Sequence, residues 1–422
     1  MRIRSLITVL VAAASLSVSA GAQTKRLWVL RASGEMVEYD PATFAVKQTV
    51  KVPAEMAQAP QSVQVNRAGQ ILFVAPIALP LGKDDVESPH KAWLWNGHAA
   101  STIDLGVKRE EGTAGSNQTV TESAPSIFLS ADGSHLFWFS NHARRLQREE
   151  MDLSTATTWE ARQTDLSGAR RENLATMKLP DCSCPSGSCE ESCPYGVVWA
   201  PEEGVDQFFL LSQFVSGKDQ PAYKASSIYR QDAGQWKETP LSDPLHRVLD
   251  AGSGGDAIIE AVPDTGCCGW VNQSDDQTLA HVSGKKYTVF DERVAYKNPD
   301  YDVSFYTSNA RLSPDVSAVA MTITATTTVD KAIQLAEDGQ ANPEESKQIR
   351  KALAELPAVE VKSLGDPPKR VAFVPHAVLV GWISEKELLI IEDHVLVGYN
   401  VATGARKKST VRVEDAARVF LR

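Results

Sequence analysis

The chain lacks the short signatures that announce many enzymes. It has no H-E-x-x-H zinc helix, no G-x-S-x-G nucleophile elbow, no G-x-x-x-x-G-K-[ST] phosphate loop and no G-x-G-x-x-G after a strand. It therefore gives no local evidence for a zinc hydrolase, an α/β-hydrolase, a P-loop NTPase or a dinucleotide-binding domain. The eight histidines (His90, His98, His135, His142, His246, His281, His376, His394) are scattered, so no metal site and no cofactor is expected from local spacing. No Lys/Arg cluster with interleaved aromatics occurs, which argues against nucleic-acid binding. After the first twenty residues no run is long and apolar enough to cross a bilayer, so no membrane insertion of the processed chain is expected. Cysteine is absent outside 182–268.

What is present begins with an export signal. Arg2 and Arg4 form a short positive region, residues 5–18 are apolar, and Ala20-Gly21-Ala22 is a small-x-small cleavage site. Residues 1–22 thus read as a signal peptide, with processing near Ala22 and a periplasmic or secreted destination. No cysteine follows the apolar run to carry a bacterial lipid anchor. The full chain carries 43 Lys+Arg against 53 Asp+Glu, a net charge of −10. Loss of Arg2 and Arg4 makes the remainder about −12, which favours solubility and gives some bias toward cations or basic partners.

Residues 23–422 read as one domain of short strands divided by turns. Six stretches share one design, a turn followed by a run of β-forming apolar residues: VNRAGQILFVAP (65–76), LSADGSHLFWFS (129–140), APEEGVDQFFLLSQF (200–214), AGSGGDAIIEAV (251–262), LSPDVSAVAMTIT (312–324) and WISEKELLIIED (382–393). Two further stretches, 36–52 and 395–413, are hairpins around Asp-Pro-Ala-Thr and Asn-Val-Ala-Thr-Gly. LSADGSHLFWFS and LSPDVSAVAMTIT resemble the Ser-Pro-Asp-Gly element of TolB-like propellers, with Val316 in place of its glycine. EYDPATFAVKQTVKV resembles the Asp-Pro-x-Thr hairpin of YVTN-type, WD40-like propellers. The resemblance implies an all-β propeller of six to eight blades, seven being plausible. The strand near Arg26–Arg31 is expected to pair with the last blade and close the ring, which removes exposed sheet edges.

Three stretches break the pattern. Residues 79–125 and 150–195 read as long, irregular and loop-rich. Residues 329–357 read as a helical hairpin inserted between two strands: Asn342 suits an N-cap, Pro343 the first helical position, Glu344 and Glu345 the first turn, and Ile349, Leu353 and Leu356 share one face. The insertion fits a decoration packed on one blade or a partner-binding element.

The six cysteines are Cys182, Cys184, Cys189 and Cys193 in the loop 181–193, and the adjacent Cys267 and Cys268. An even count in an exported chain points to disulfides, with zinc ligation or free thiols as the alternatives. Fifteen pairings are possible for six cysteines. One arrangement ties the 181–193 loop to Cys267 and Cys268, because a loop rich in Ser, Gly and Pro has little apolar side chain with which to anchor itself. The other joins Cys267 to Cys268 and leaves two pairs within the first cluster.

PDTGCCGWVNQSDDQTL (263–279) is the leading site candidate. At the mouth of a ring, Trp270 could stack on a ligand and Asp264, Asp275 and Asp276 could contact a cation or hydroxyls. The competing reading is a crosslinked blade turn with Trp270 in the core. AGSGGD (251–256) reads as a turn before a strand rather than a phosphate loop. SNHARRLQREE (140–150) reads as a hairpin tip, although Arg144, Arg145 and Arg148 could grip an anion.

Two functions fit these features. One is a monomeric, non-catalytic binding scaffold or ligand sensor for a protein or small molecule. The other is a hydrolase or lyase with an axial site built from several blades, metal-assisted through Asp and His. Propellers host both, so the fold does not choose.

Overall fold

The structure, a computed structural model, describes residues 25–54, 62–74, 91–104, 118–122, 126–148, 151–167, 171–178, 195–201, 204–213, 227–232, 235–240, 245–252, 255–261, 277–283, 286–293, 296–298, 301–303, 305–325, 343–414 and 418–422. Seven antiparallel sheets form a ring, a seven-bladed β-propeller. Six blades follow one another along the chain: blade 2 over 62–104, blade 3 over 126–178, blade 4 over 195–240, blade 5 over 245–293, blade 6 over 305–375 and blade 7 over 377–412. We call the four successive strands of each blade A to D. Strand A is the inner one: Leu245–Ala251, Phe305–Leu312, Ala377–Ser384 and Arg418–Leu421 each contact the next around the ring.

Blade 1 is assembled from opposite ends of the sequence. Its strands B, C and D are Leu27–Leu30, Glu35–Tyr39 and Val46–Lys51, and its strand A is Arg418–Leu421. Leu27–Leu30 was expected to join the last blade. It pairs instead with Arg418–Leu421, in the register Leu27↔Leu421 to Leu30↔Arg418, and blade 7 keeps four strands of its own. The six turn-plus-strand repeats are the A–B hairpins of blades 2 to 7. Blade 1 has no such repeat because its strands A and B are not consecutive in the chain.

The core is divided among the junctions between blades. Seven clusters of buried apolar side chains each join two neighbouring blades. The B strands are covered on both faces, so successive residues feed different clusters. In Ile71–Val74, Ile71 and Phe73 pack toward blade 1, while Leu72 and Val74 pack toward blade 3. In Glu387–Glu392, Leu388 and Ile390 face blade 6 and Leu389 faces blade 1. This is why these strands read as continuous apolar runs rather than as alternation.

Buried amides also bridge the junctions. Gln64 accepts from Leu129 N and donates to Ile127 O, linking blade 2 to blade 3. Gln277 does the same with Thr307 N and O, linking blade 5 to blade 6. Trp382 Nε1 donates to Arg311 O across the blade 6–7 junction.

Two corrections concern stretches read as irregular. Within 79–125 lie Lys91–Trp95 and Ala100–Asp104, the C and D strands of blade 2, and Gln118–Glu122, which pairs with His135–Arg148. Within 150–195 lie Met151–Asp165 and Arg171–Lys178, the C and D strands of blade 3. Outer strands bury little, so their sequences carry no strong apolar period; Gln235–Pro240, a D strand, has no fully buried residue. Between strands B and C of blade 6 the helix Pro343–Ala354 starts at the proline expected at the first helical position, with Leu353 buried. The first half of the expected helical hairpin lies outside the described residues. Among the described residues no helix is long and apolar enough to cross a membrane.

The A–B turns of blades 3 and 6 are near copies. In each, an aspartate (Asp132, Asp315) accepts from two serine hydroxyls and one backbone N–H. These hydrogen bonds hold both carboxyls below the ordinary range; in Asp132 they outweigh burial, which acts in the opposite direction. The next residue is left-handed in both, Gly133 at φ 75° and Val316 at φ 58°. Gly133 also cannot carry a side chain, since a Cβ there would stand 2.4 Å from Gln70 Oε1. Val316 has the strain without the close approach. Val316→Gly should therefore raise stability, by up to about 1 kcal/mol once the entropy of glycine is subtracted. A urea midpoint at or below that of the parent would contradict this.

Candidate functional site

The residues singled out in the sequence, Asp264, Trp270, Asp275 and Asp276, lie outside the described residues, as do all six cysteines. What is described is where the flanking strands end. The connection 262–276 joins strands B and C of blade 5, and 179–194 joins strand D of blade 3 to strand A of blade 4. B–C and D–A connections leave the same face of a propeller, so both sets of strand ends open on one face of the ring.

That face differs from the other in a systematic way. The A–B and C–D connections are all short, the longest being 200–206. The long connections, 52–61, 75–90, 105–125, 179–194, 214–226, 262–276, 294–304 and 326–357, are all B–C or D–A. The helix Pro343–Ala354 and the small hairpin of Tyr296–Asn298 with Tyr301–Val303 belong to this set. Blade 3 adds a ribbon: His135–Arg148 and Met151–Asp165 stay paired beyond the pairing with Ser126–Leu129, as far as Arg148 opposite Met151. The hairpin expected around Arg144, Arg145 and Arg148 is therefore present, at this face.

A cavity of about 410 Å³ lies at the seam between blades 1 and 7. Blade 1 contributes Val29 from strand B and Arg31 just after it, Tyr39 from strand C, and Phe44 and Val46 from the C–D hairpin. Blade 7 contributes Thr410 to Arg412 from strand D, and Glu414 follows. The buried Tyr39 hydroxyl accepts from Arg31 Nη2 at 2.7 Å. That bond and its charge interaction with Tyr39 hold the guanidinium above its ordinary value, with Glu35 and Glu414 adding to the effect. The lining is mixed, with Val29, Phe44, Val46 and Val411 apolar and Thr410, Arg412 and Glu414 polar, and Val46 remains 61% exposed.

The C–D hairpins of blades 1 and 7 flank this seam and are built alike. Asp40 Oδ1 accepts from Ala42 N, Thr43 N and Thr43 Oγ1; Asn400 Oδ1 accepts from Ala402 N, Thr403 N and Thr403 Oγ1. Lys407 Nζ donates to Ala42 O and ties one hairpin to the other. The left-handed position is Gly404 in blade 7 (φ 72°) and Phe44 in blade 1 (φ 60°). Hydrogen bonds from Thr43 N, the Lys47 ammonium and Thr43 Oγ1 lower the Asp40 carboxyl to about 2. A depressed carboxyl contributes stability above its unfolded pKa, and that contribution is lost as pH falls through the folded value. Asp40→Asn, which copies the Asn400 hydrogen bonds but gives up the charge and the Lys47 pair, should therefore be less stable than the parent near neutrality, flatten the acid dependence between about pH 4 and 2, and meet the parent at the acid end. Parallel urea titrations over that window that leave the dependence unchanged would refute the assignment.

No protein-family model matches the sequence, and no curated protein does. Among solved structures, the chain is similar to a protein from Lactobacillus plantarum at 11% identity and TM-score 0.47, covering 94% of this chain and 99% of that one. It is similar to the periplasmic gluconolactonase PpgL of Pseudomonas aeruginosa at 10% identity and TM-score 0.44, over 94% and 99% of the two chains. It is also similar to the WD40 domain of SCAP from fission yeast at 9% identity and TM-score 0.35, over 93% and 88%. At these values nothing about ligand or activity is carried over. The functional reading therefore rests on the chain itself.

One further polar pair escaped sequence reading. His281 Nε2 lies 3.0 Å from Asp256 Oδ1, across strands B and C of blade 5. His281 faces Ile258 in the ladder, two residues along from Asp256, so the pair is a diagonal cross-strand neighbour. Only the register reveals it. Among the described residues no three His, Cys, Asp or Glu side chains gather into a cluster able to hold a metal. The seam residues were also missed. Their one sequence signal is a phenylalanine in DPATFA at the place where NVATGA has glycine.

Proposed function

We propose that the chain is an exported, non-catalytic binding platform that engages its partner through the face carrying the long connections. The observation behind this reading is the asymmetry of the ring: eight long connections leave one face, while tight turns close the other. A scaffold needs no such asymmetry to fold, since blades can be joined by connections as short as residue 376 between blades 6 and 7. Long loops on a rigid frame are a usual place for recognition.

The test is photo-crosslinking in the native compartment with single photoreactive residues on each face. Lys347, Asp393 and Ser33 sit on helix or B–C turns of the elaborated face, and Ser134, Lys386 and Ala402 on turns of the other; all six are exposed. Discrete adducts from the first set and none from the second are expected. Equal labelling of both faces, or turnover of lactone, ester or peptide substrates by the purified chain, would overturn the proposal. Export is tested separately. Thiol labelling of denatured, unreduced protein from that compartment should find almost no free cysteine, and six labelled thiols would contradict disulfide formation.

A further inference from the structure

We propose that the seam cavity between blades 1 and 7 binds a small aromatic carboxylate, independently of the face assigned above. A chamber of about 410 Å³ is of the size that holds a small organic molecule. Its chemistry is two-sided. Phe44, Val46 and Val411 supply apolar surface over the buried Val29, while Arg31 and Arg412 add two guanidinium-bearing side chains to the lining. Arg31 donates to the Tyr39 hydroxyl, which orients the guanidinium. The lining itself carries two guanidinium groups against the one carboxylate of Glu414, with Glu35 close enough to act on Arg31. An anionic group directed at Arg412, with a ring against Phe44, satisfies both sides.

Phe44 is the second observation. The twin hairpin of blade 7 has Gly404 at the same left-handed position, so the turn itself asks for glycine. A phenylalanine held there carries backbone strain, and its ring is half-buried against the cluster that joins blades 1 and 7. Strain kept at a cavity wall, where the relaxed alternative is present in the same chain, is the pattern of a residue retained for what its side chain meets. The walls come from residues 29–46 and 410–414, so a ligand here would also hold the ring closed and stabilise the folded chain by mass action.

The experiment uses the full processed chain with phenylacetate as probe, and benzyl alcohol and acetate as its neutral and ringless controls. Phenylacetate should bind saturably in ligand-observed NMR with a Kd below about 5 mM, and each control should bind at least about tenfold more weakly. Arg412→Gln, an exposed change that leaves the fold intact, should weaken phenylacetate about tenfold. Phe44→Gly should abolish binding while the unliganded variant keeps a cooperative melt. Absence of saturable phenylacetate binding would overturn the proposal. Binding that survives both Phe44→Gly and Arg412→Gln would do so as well.

Discussion

A chain lacking residues 418–422 should lose cooperative unfolding altogether. Four of those residues, Arg418–Leu421, are the inner strand of blade 1, and Arg422 follows it. Phe420 and Leu421 are buried in two different junction clusters, facing blade 2 and blade 7. Arg422 N donates to Arg26 O and Arg422 O accepts from Arg26 N, while Arg422 Nε donates to Val65 O in blade 2. Loss of a buried phenylalanine and a buried leucine costs about 3–5 and 2–5 kcal/mol respectively. That already approaches the total stability of about 5–15 kcal/mol usual for a folded domain. The deletion also exposes the edge of Leu27–Leu30, whose four residues are all buried. Urea titration followed by tryptophan fluorescence should show no sigmoidal transition. A permutant supplies the contrast. Arg26 and Arg422 are hydrogen-bonded neighbours, so a short linker from 422 to 25, with the chain opened at the exposed 385–386 turn, keeps every strand and should fold. A cooperative transition in the deletion, or none in the permutant, would refute this account of closure.

The same closure explains how much of the fold was legible in the sequence. Each blade begins with a tight A–B turn that launches a strand buried on both faces, and both features leave marks: Gly, Asp or Asn at the turn, then three or four successive apolar residues. Six such marks appear because six A–B hairpins are continuous in the chain. Blade 1 has its strands A and B at opposite ends of the sequence and leaves none, so the count of turns falls one short of the count of blades. Outer strands were missed for the opposite reason. Ala100–Asp104 and Arg171–Lys178 read as loop because they present mostly polar residues to solvent, and backbone pairing to an inner strand needs no particular side chain. The seam cavity was illegible because its walls are residues 29–46 and 410–414, which only the ring brings together. Phe44 sits in an otherwise ordinary turn, and its strain appears only when φ is set beside that of Gly404.

Replacing Gln64 should show how the junctions between blades are held. Strand Ser126–Leu129 pairs on one edge with His135–Arg148. At its other edge Ile127 O and Leu129 N meet the Gln64 amide, which donates to the first and accepts from the second. The side chain thus takes the place of a missing strand, and it is buried. Gln64→Leu fills the space but leaves a buried carbonyl and a buried N–H without partners, at about 1–3 kcal/mol each. The expected loss is about 2–4 kcal/mol, read from the urea midpoint with unchanged slope. Gln64→Glu separates the two halves of the bridge. The carboxylate can still accept from Leu129 N but faces Ile127 O with no proton to donate, so the folded state favours the protonated acid. A folded pKa raised above the unfolded value of about 4.3 means that stability is retained below that value and falls as pH rises toward the folded pKa. The glutamate variant should therefore lie close to the parent near pH 4 and fall away from it toward neutrality, whereas the leucine variant should show a nearly constant deficit. Gln277, which grips both Thr307 N and Thr307 O, should repeat the behaviour one junction further round. If the deficits of Gln64→Leu and Gln277→Leu are below about 0.5 kcal/mol, the amide bridges contribute no more than an ordinary surface contact.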